Sequence, residues 1–382
     1  MTIPAFDLLG GDVLRPDGMD VGGVLSVAEG KIQQTAVGRA VDLSGYRIFP
    51  GIIDPHGDGF ERRLAPRRGA MKQMSEGIVA AEAELAANGI TTAVLAQFWS
   101  WEGGLRSPEF AAQVFAAIAD TAPQVVTDLR AQLRFEISLL EDYETLPERI
   151  AEWGVSYVVF NDHLPHGRLA EGRKPPRLTG QALKAGRNPD DHFAFLLRLH
   201  AAAEQSGPAL EGLCAKLRDD RVRMGSHDDR TALDRKTWRA RGAQIAEFPE
   251  TQEAAEAACA AGDFVVLGAP NVVRGGSHKG NASALDLIAM GLCHGLASDY
   301  HYPSPRRAAL MLARSGLCDM AQAWALVSAG PAGMLGLTDR GELRAGKRAD
   351  LVILDRADRV AATISAGRFS YLNGDIAARF FG

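Results

Sequence analysis

Residues 49–58 read FPGIIDPHGD, and this stretch sets the fold expected of the chain. A Pro-Gly turn opens a short apolar run that ends in His56 and Asp58, with one residue between them. An apolar run of this length, bounded by turn residues, suits a strand buried on both faces, as in parallel sheets. In extended backbone, positions i and i+2 point to the same side, so His56 and Asp58 can reach one ion together. The same residues also fit a plain turn, with Asp58 bonding the backbone ahead of Gly59.

Seven further apolar runs follow: ITTAVLAQ, AQLRFEISLL, SYVVFN, RVRMGSH, AQIAEF, FVVLGAP and GLASDY. Ala- and Leu-rich helical stretches such as MSEGIVAAEAELAANG and PEFAAQVFAAIADTA lie between them. Eight strand-and-helix units predict an α/β fold, a TIM-like (β/α)8 barrel over residues 50–336. Both ends of the chain read differently. FDLLGGDVL, VLSVAEGKIQQ and YRIFP at one end, and GELRAGKRADLVILD, RVAATIS and RFSYLNG at the other, are short strands with turns. They predict a small β-sandwich domain built from residues 1–49 plus 337–382. The competing arrangement is an open doubly wound sheet, whose dinucleotide-binding form is disfavoured because no GxGxxG follows the first strand. Residues 163–190 are polar, basic and rich in Gly and Pro. They are expected to form a long loop or lid over the active face.

Bulk properties narrow the function. The 382 residues carry 42 Lys and Arg against 47 Asp and Glu, a formal charge of -5. That balance gives no global reason to expect nucleic acid or a membrane surface as partner, so attraction to a polyanion has to be local. Cys214, Cys259, Cys293 and Cys318 form no CxxC pair, which argues against a disulfide framework or a thiolate zinc site. No basic segment followed by an apolar run opens the sequence, and no stretch is apolar enough to span a bilayer. A cytoplasmic enzyme acting on a small molecule is expected, with homo-oligomerisation left open.

Several apolar runs end in metal-binding residue types. In chain order these are His56 and Asp58, Glu136, Asp162 and His163, His227 with Asp228 and Asp229, and Asp299. Strand ends of a barrel converge on one mouth, where such residues can share a site. Imidazoles with carboxylates suit zinc or a similar divalent ion. Glu136 lies among apolar neighbours, where a carboxylate is costly unless paired. A bridge between two ions explains it, and an ion pair with Arg134 is the alternative. His163 and His227 also fit as capping or hydrogen-bonded surface groups. Asp299 suits a general base that takes a proton from water, or else a cap on a helix near Pro305.

Two stretches suit phosphate. Residues 268–283, GAPNVVRGGSHKGNAS, place Arg274, Ser277, His278 and Lys279 ahead of a helix expected near Asn281. Backbone N–H groups at a helix start with cations beside them make an anion site, although the Walker A pattern is absent. ERRLAPRRG places Arg62, Arg63, Arg67 and Arg68 directly after the first ligand pair. Arginine forks match phosphate oxygens. Both stretches also fit solvated basic turns.

These residues resemble the amidohydrolase superfamily, in which a strand reading PG-(I/L/F)-(I/V)-D-x-H opens a metal-binding barrel. GELRAGKRADLVILD resembles that superfamily's C-terminal segment. More narrowly, HGDGFERRLAPRRG, FNDH, GSHDD, GAPNVVRGGSHKGNAS and LASDY resemble its diphosphatases of phosphonate catabolism, which act on α-D-ribose 1-methylphosphonate 5-triphosphate. The resemblance spans nearly the whole chain. It implies two divalent ions, zinc or alternatively manganese, with a bridging hydroxide as nucleophile. His56, Asp58, Glu136, His163, His227 and Asp299 are the metal-site residues it implies, Asp299 also handling the proton. Its implied reaction cleaves a ribose 5-triphosphate to the 5-phosphate and diphosphate, with Arg62, Arg67, Arg274, Ser277, His278 and Lys279 around the phosphates. The chain departs from the usual HTDNLE at Gly57, Gly59 and Phe60, and Arg63 stands where a histidine is usual. Counting runs puts Glu136 on the third strand, His163 on the fourth and His227 on the fifth, whereas many members carry their later histidines on the fifth and sixth. Two other readings stay open: hydrolysis of a C–N bond, and a non-catalytic phosphate-binding barrel.

Overall fold

The computed structural model describes residues 5–65, 73–203, 206–275 and 282–381. The chain divides into two compact units. One comprises Met1–Val94, Asp120–Arg130 and Phe264–Gly382, and the other Leu95–Ala119 and Ala131–Asp263.

In the first unit, strands Phe6–Arg15 and Gly18–Ala28 form a hairpin whose Arg15↔Gly18 pairing leaves Pro16 and Asp17 as its turn. Gly18 takes φ 136°, a value open to a residue without Cβ. Strand Arg47–Pro50 runs parallel to the first strand through Asp12↔Arg47 and antiparallel to Leu351–Leu354 through Leu351↔Pro50. Strands from both ends of the chain therefore share one sheet, in the order 368–372, 360–365, 351–354, 47–50, 6–15, 18–28, 31–33. Its apolar face carries Phe6, Leu8, Val27, Ile48, Leu351, Ile353 and Ile364. The sequence pattern predicted strands and turns to the end of the chain, but Gly374–Phe381 is a helix. Ile376 and Phe380, four residues apart, put one helical face on that core, with the Phe380 ring edge-on to Phe6 at 5.5 Å.

The other sheet is parallel and follows chain order: Ile52–Gly57, Ile90–Trp99, Asp128–Glu136, Tyr157–Asn161, Arg223–His227, Ile245–Glu247, Phe264–Gly268 and Gly295–Ala297. All six residues of the first strand and all ten of the second are buried, which accounts for their uninterrupted apolar reading. Helices separate the strands, and a parallel bridge between Gly57 and Asp299 joins the first to the last. This is the topology of a (β/α)8 barrel. A doubly wound sheet reverses its strand order at a switch point, and the described strands do not.

Residues 163–190 are not an unstructured loop: they contain helices His166–Ala170 and Leu178–Lys184. Within the second unit they press on the turn after Trp99, where a Cβ on Gly103 would lie 2.6 Å from the Ala185 Cα. Gly103 also takes φ 74°, so this close approach needs glycine twice over. Among the described residues, no helix is long and apolar enough to cross a membrane.

Candidate functional site

In the first unit, strand Ile52–Gly57 delivers His56 fully buried, with Asp58 one residue past its end. A ring nitrogen of His56 and carboxylate oxygens of Asp58 and Asp299 lie within 4.8 Å of one another. One imidazole and two carboxylates at that spacing fit a divalent ion. The backbone fixes the arrangement: Asp299 N–H donates to the His56 carbonyl at 3.0 Å, and Asp58 N–H to the Asp299 carbonyl at 2.9 Å. Asp299 sits at φ 54°, a left-handed conformation that aspartate tolerates better than most residues. The following helix begins at Ser304 with Pro303 as its N-cap, so Asp299 is not its cap.

Asp54, which the sequence reading passed over, lies fully buried beneath this cluster. Ser298 donates its backbone N–H at 2.8 Å and its hydroxyl at 2.5 Å to the Asp54 carboxylate. Burial pushes the Asp54 pKa up, and the two Ser298 bonds oppose that rise without cancelling it. This pair explains the departure at Gly57. A Cβ there would lie 2.7 Å from Asp54 Oδ2, 2.8 Å from Ser298 Oγ and 3.0 Å from Tyr302 Cε1. At Gly59 the nearest atoms would be the Tyr300 carbonyl at 3.1 Å and Tyr302 Cζ at 3.3 Å. The fully buried Tyr302 ring thus fills space that larger residues in the motif would need.

Two predicted phosphate-binding arginines converge on the residue after Asp299. Arg62 donates to the Tyr300 carbonyl at 3.3 Å, and Arg274 donates to the Tyr300 hydroxyl. Arg62 and Arg63 also share Glu84, so the residue at the usual histidine position is an ion-paired arginine. Arg67, Ser277, His278 and Lys279 lie outside the described residues.

The second unit gathers the other strand-end candidates. Glu136 ends the third strand, His163 follows the fourth by two residues, and His227 ends the fifth. Glu136 is fully buried and does not pair with Arg134. Its carboxylate accepts the His163 ring Nδ1–H, the His163 backbone N–H at 3.1 Å and the Trp101 indole N–H at 3.3 Å. That tautomer leaves the His163 lone pair on Nε2, the outer-carboxylate pattern common around metal-binding histidines. Burial pulls the His163 pKa down, but the bond to Glu136 and its charge outweigh this and leave it raised.

Arg134 goes to His227 instead. Its guanidinium lies over the Phe98 ring at 3.8 Å and donates to His227 Nε2 at 2.9 Å, with Asn161 Oδ1 at 3.4 Å. Because a guanidinium only donates, the His227 lone pair is on Nε2 and faces a cation. Burial and the Arg134 charge hold the His227 pKa below the usual histidine range. Asp162 is engaged by His166, which also bonds His200. Asp229 is a buried structural group, bonded to Ser226 and Arg235.

Glu247 was also missed. It is fully buried at the end of the sixth strand, AQIAEF, a polar residue closing an apolar run like the others. Its Oε1 accepts from the Tyr157 hydroxyl and the Gln132 amide, both at 2.7 Å. The signal was present in sequence, but a three-residue strand makes a weak pattern.

Residues 59–371 match the amidohydrolase family. The chain belongs to the amidohydrolase family. It is accordingly a hydrolase, and its barrel is of the kind this family uses to carry metal sites. The chain is 34% identical over 352 residues to the α-D-ribose 1-methylphosphonate 5-triphosphate diphosphatase of Escherichia coli, covering 88% of this chain and 92% of that enzyme. Among solved structures, N-acetyl-D-glucosamine-6-phosphate deacetylase from Mycobacterium smegmatis superposes with a TM-score of 0.62 at 16% identity, covering 96% of this chain and 100% of the other. Dihydropyrimidinase from Brevibacillus agri gives 0.55 at 13% identity, covering 97% and 95%. At these identities the two structures speak to the amidohydrolase fold alone.

Proposed function

We propose that this amidohydrolase is a diphosphatase that hydrolyses a ribose 5-triphosphate, of the class of α-D-ribose 1-methylphosphonate 5-triphosphate, to the 5-phosphate and diphosphate. The observation that carries the reading is the convergence of Arg62 and Arg274 on Tyr300, directly after Asp299. The likeness to the Escherichia coli enzyme supplies the substrate class.

Two divalent ions, zinc or manganese, are proposed as cofactors, with ligands drawn from His56, Asp58 and Asp299 and from Glu136, His163 and His227. Such ions polarise a phosphoryl oxygen and lower the pKa of water. Asp299 takes the proton of the attacking water as the bond between the first and second phosphates breaks. Arg62 and Arg274 hold the charge that develops on the departing diphosphate.

The test is hydrolysis of that triphosphate by metal-reconstituted protein, followed by phosphorus NMR. Equal amounts of diphosphate and 5-phosphate are expected. Stepwise release of orthophosphate would overturn the reading. Ammonia or carboxylate released from amide or nucleobase substrates, with the triphosphate left intact, would establish a C–N hydrolase instead. Ligand binding without any turnover would leave a phosphate-binding barrel.

A further inference from the structure

In the second unit, helix Ser206–Asp219 leads into the fifth barrel strand and helix Ala232–Ala240 leads out of it. Both helices finish near the start of that strand. A Cβ on Gly242 would lie 3.0 Å from Met224 Cε and 3.6 Å from Arg218 Cδ, and Gly242 takes φ 95°. Glycine there lets the Arg218 side chain lie against the backbone. Between the two helices is a cavity of about 470 Å3, lined by Arg218, Lys236 and Arg241, with Glu211 as its one carboxylate among the described residues. Cavities of this size hold small organic molecules. It lies at the opposite end of the fifth strand from His227.

These three cations differ from their neighbours. Arg230, Arg235 and Arg239, on or beside the same helix, all pair with Glu250, Asp229 or Asp263. Among the described residues, Arg218, Lys236 and Arg241 form no ion pair. Packing holds Arg241 instead: its guanidinium lies over the Trp238 ring at 5.1 Å, and Trp238 stacks on Phe160 at 5.2 Å. Its Nε is buried without a hydrogen-bond partner among the described residues, which native structures seldom leave uncompensated. Burial pushes the Cys214 thiol up to about 11, and Arg241 and Arg218 both oppose that rise, so both charges gather near one point. Like charges collected without counter-ions attract an anion.

We propose that this cavity is a second, non-catalytic anion site that takes a phosphorylated small molecule. Three cations against one carboxylate favour a doubly charged group such as a phosphate monoester. The two arginine forks match phosphate oxygens. Leu233, exposed on the same wall, gives the organic body an apolar surface. The inference stands apart from the diphosphatase reading, because its residues take no part in that chemistry.

The test is calorimetric titration of the full chain, at low salt, with phenyl phosphate and separately with inorganic phosphate. Phenyl phosphate is expected to bind more tightly than inorganic phosphate. Joint replacement Arg218→Ser and Lys236→Ser is expected to weaken phenyl phosphate binding at least about tenfold, whereas Arg274→Ala leaves it within about twofold. Should the double variant fail to fold, Lys236→Glu, a change at an exposed side chain, is expected to weaken it at least about tenfold as well. Binding within about twofold of the parent protein in the folded variants overturns the proposal. A parent protein that binds neither probe overturns it too, as does binding that Arg274→Ala abolishes, since all affinity then belongs beside Tyr300. Inorganic phosphate bound as tightly as phenyl phosphate overturns the place given to the organic body.

Discussion

Asp299 and His56 are held together by their own backbones, the Asp299 N–H donating to the His56 carbonyl at 3.0 Å. The first and last strands of the barrel thereby carry their candidate metal-binding side chains on a shared hydrogen-bonded frame. Side-chain geometry at this cluster follows from the closure of the sheet, so changes that disturb the closure reach the site.

Gly57 is where that dependence is sharpest. A methyl group at residue 57 has to displace Asp54, Ser298 and Tyr302, all buried and two of them bonded to each other. Gly57→Ala is expected to destabilise the fold by about 1–3 kcal/mol, the usual cost of overpacking. Urea unfolding measures it, and a change below about 0.5 kcal/mol would show that the strand ends can spread.

Arg274 touches Tyr300 and lies outside the candidate metal cluster of His56, Asp58 and Asp299. Arg274→Ala is expected to raise KM for the triphosphate about tenfold or more with kcat changed much less, the signature of lost ground-state binding. Steady-state kinetics decide this. An equal fall in kcat with KM unchanged would place Arg274 in transition-state stabilisation instead.

His192 is fully buried with neither ring nitrogen bonded among the described residues. Burial, then the Arg187 charge, holds its pKa below the usual value. As pH falls through the ordinary histidine range near about 6.5, the unfolded chain takes up a proton at this residue that the fold refuses, and stability drops. His192→Leu removes both the orphaned polar atoms and this proton uptake. It is expected to stabilise the protein by about 1 kcal/mol at pH 8, and by more at pH 5. Denaturant unfolding at the two pH values checks it, and a gain that shrinks towards pH 5 would contradict the argument.

Arg235 is buried between Asp229 at 3.0 Å and Asp263 at 2.7 Å. Arg235→Leu leaves two buried carboxylates without their shared cation, and is expected to cost about 3–5 kcal/mol. The midpoint of thermal unfolding should fall clearly. A near-parental midpoint would mean that water or Arg239, which also bonds Asp263, takes over.

Much of this was legible along the chain because strand signals are local. Eight apolar runs of the sequence are the eight strands of the barrel, in order, and the count that put Glu136, His163 and His227 with the third, fourth and fifth strands is the one observed. Gly57 and Gly59 were legible only as departures. Asp54, Ser298 and Tyr302 crowd Gly57, and Tyr300 and Tyr302 crowd Gly59; apart from Asp54 these residues lie more than 240 positions away in sequence, and no local pattern reports them. Glu136 was legible as a buried carboxylate in need of a partner, but not as the group that holds His163 and Trp101.

The sequence by itself determined the order of strands and helices, and which polar residues stand at strand ends, because burial on both faces imposes a pattern that each short segment carries alone. Only the tertiary structure decided which of those residues face each other: Asp299 beside His56, Arg134 on His227, and Glu247 level with His227. Those choices depend on register between strands, and the Gln132 that orients Glu247 comes from 115 residues away. Hydrogen bonds across such a separation are fixed by strand pairing and side-chain packing, which no single stretch of sequence contains.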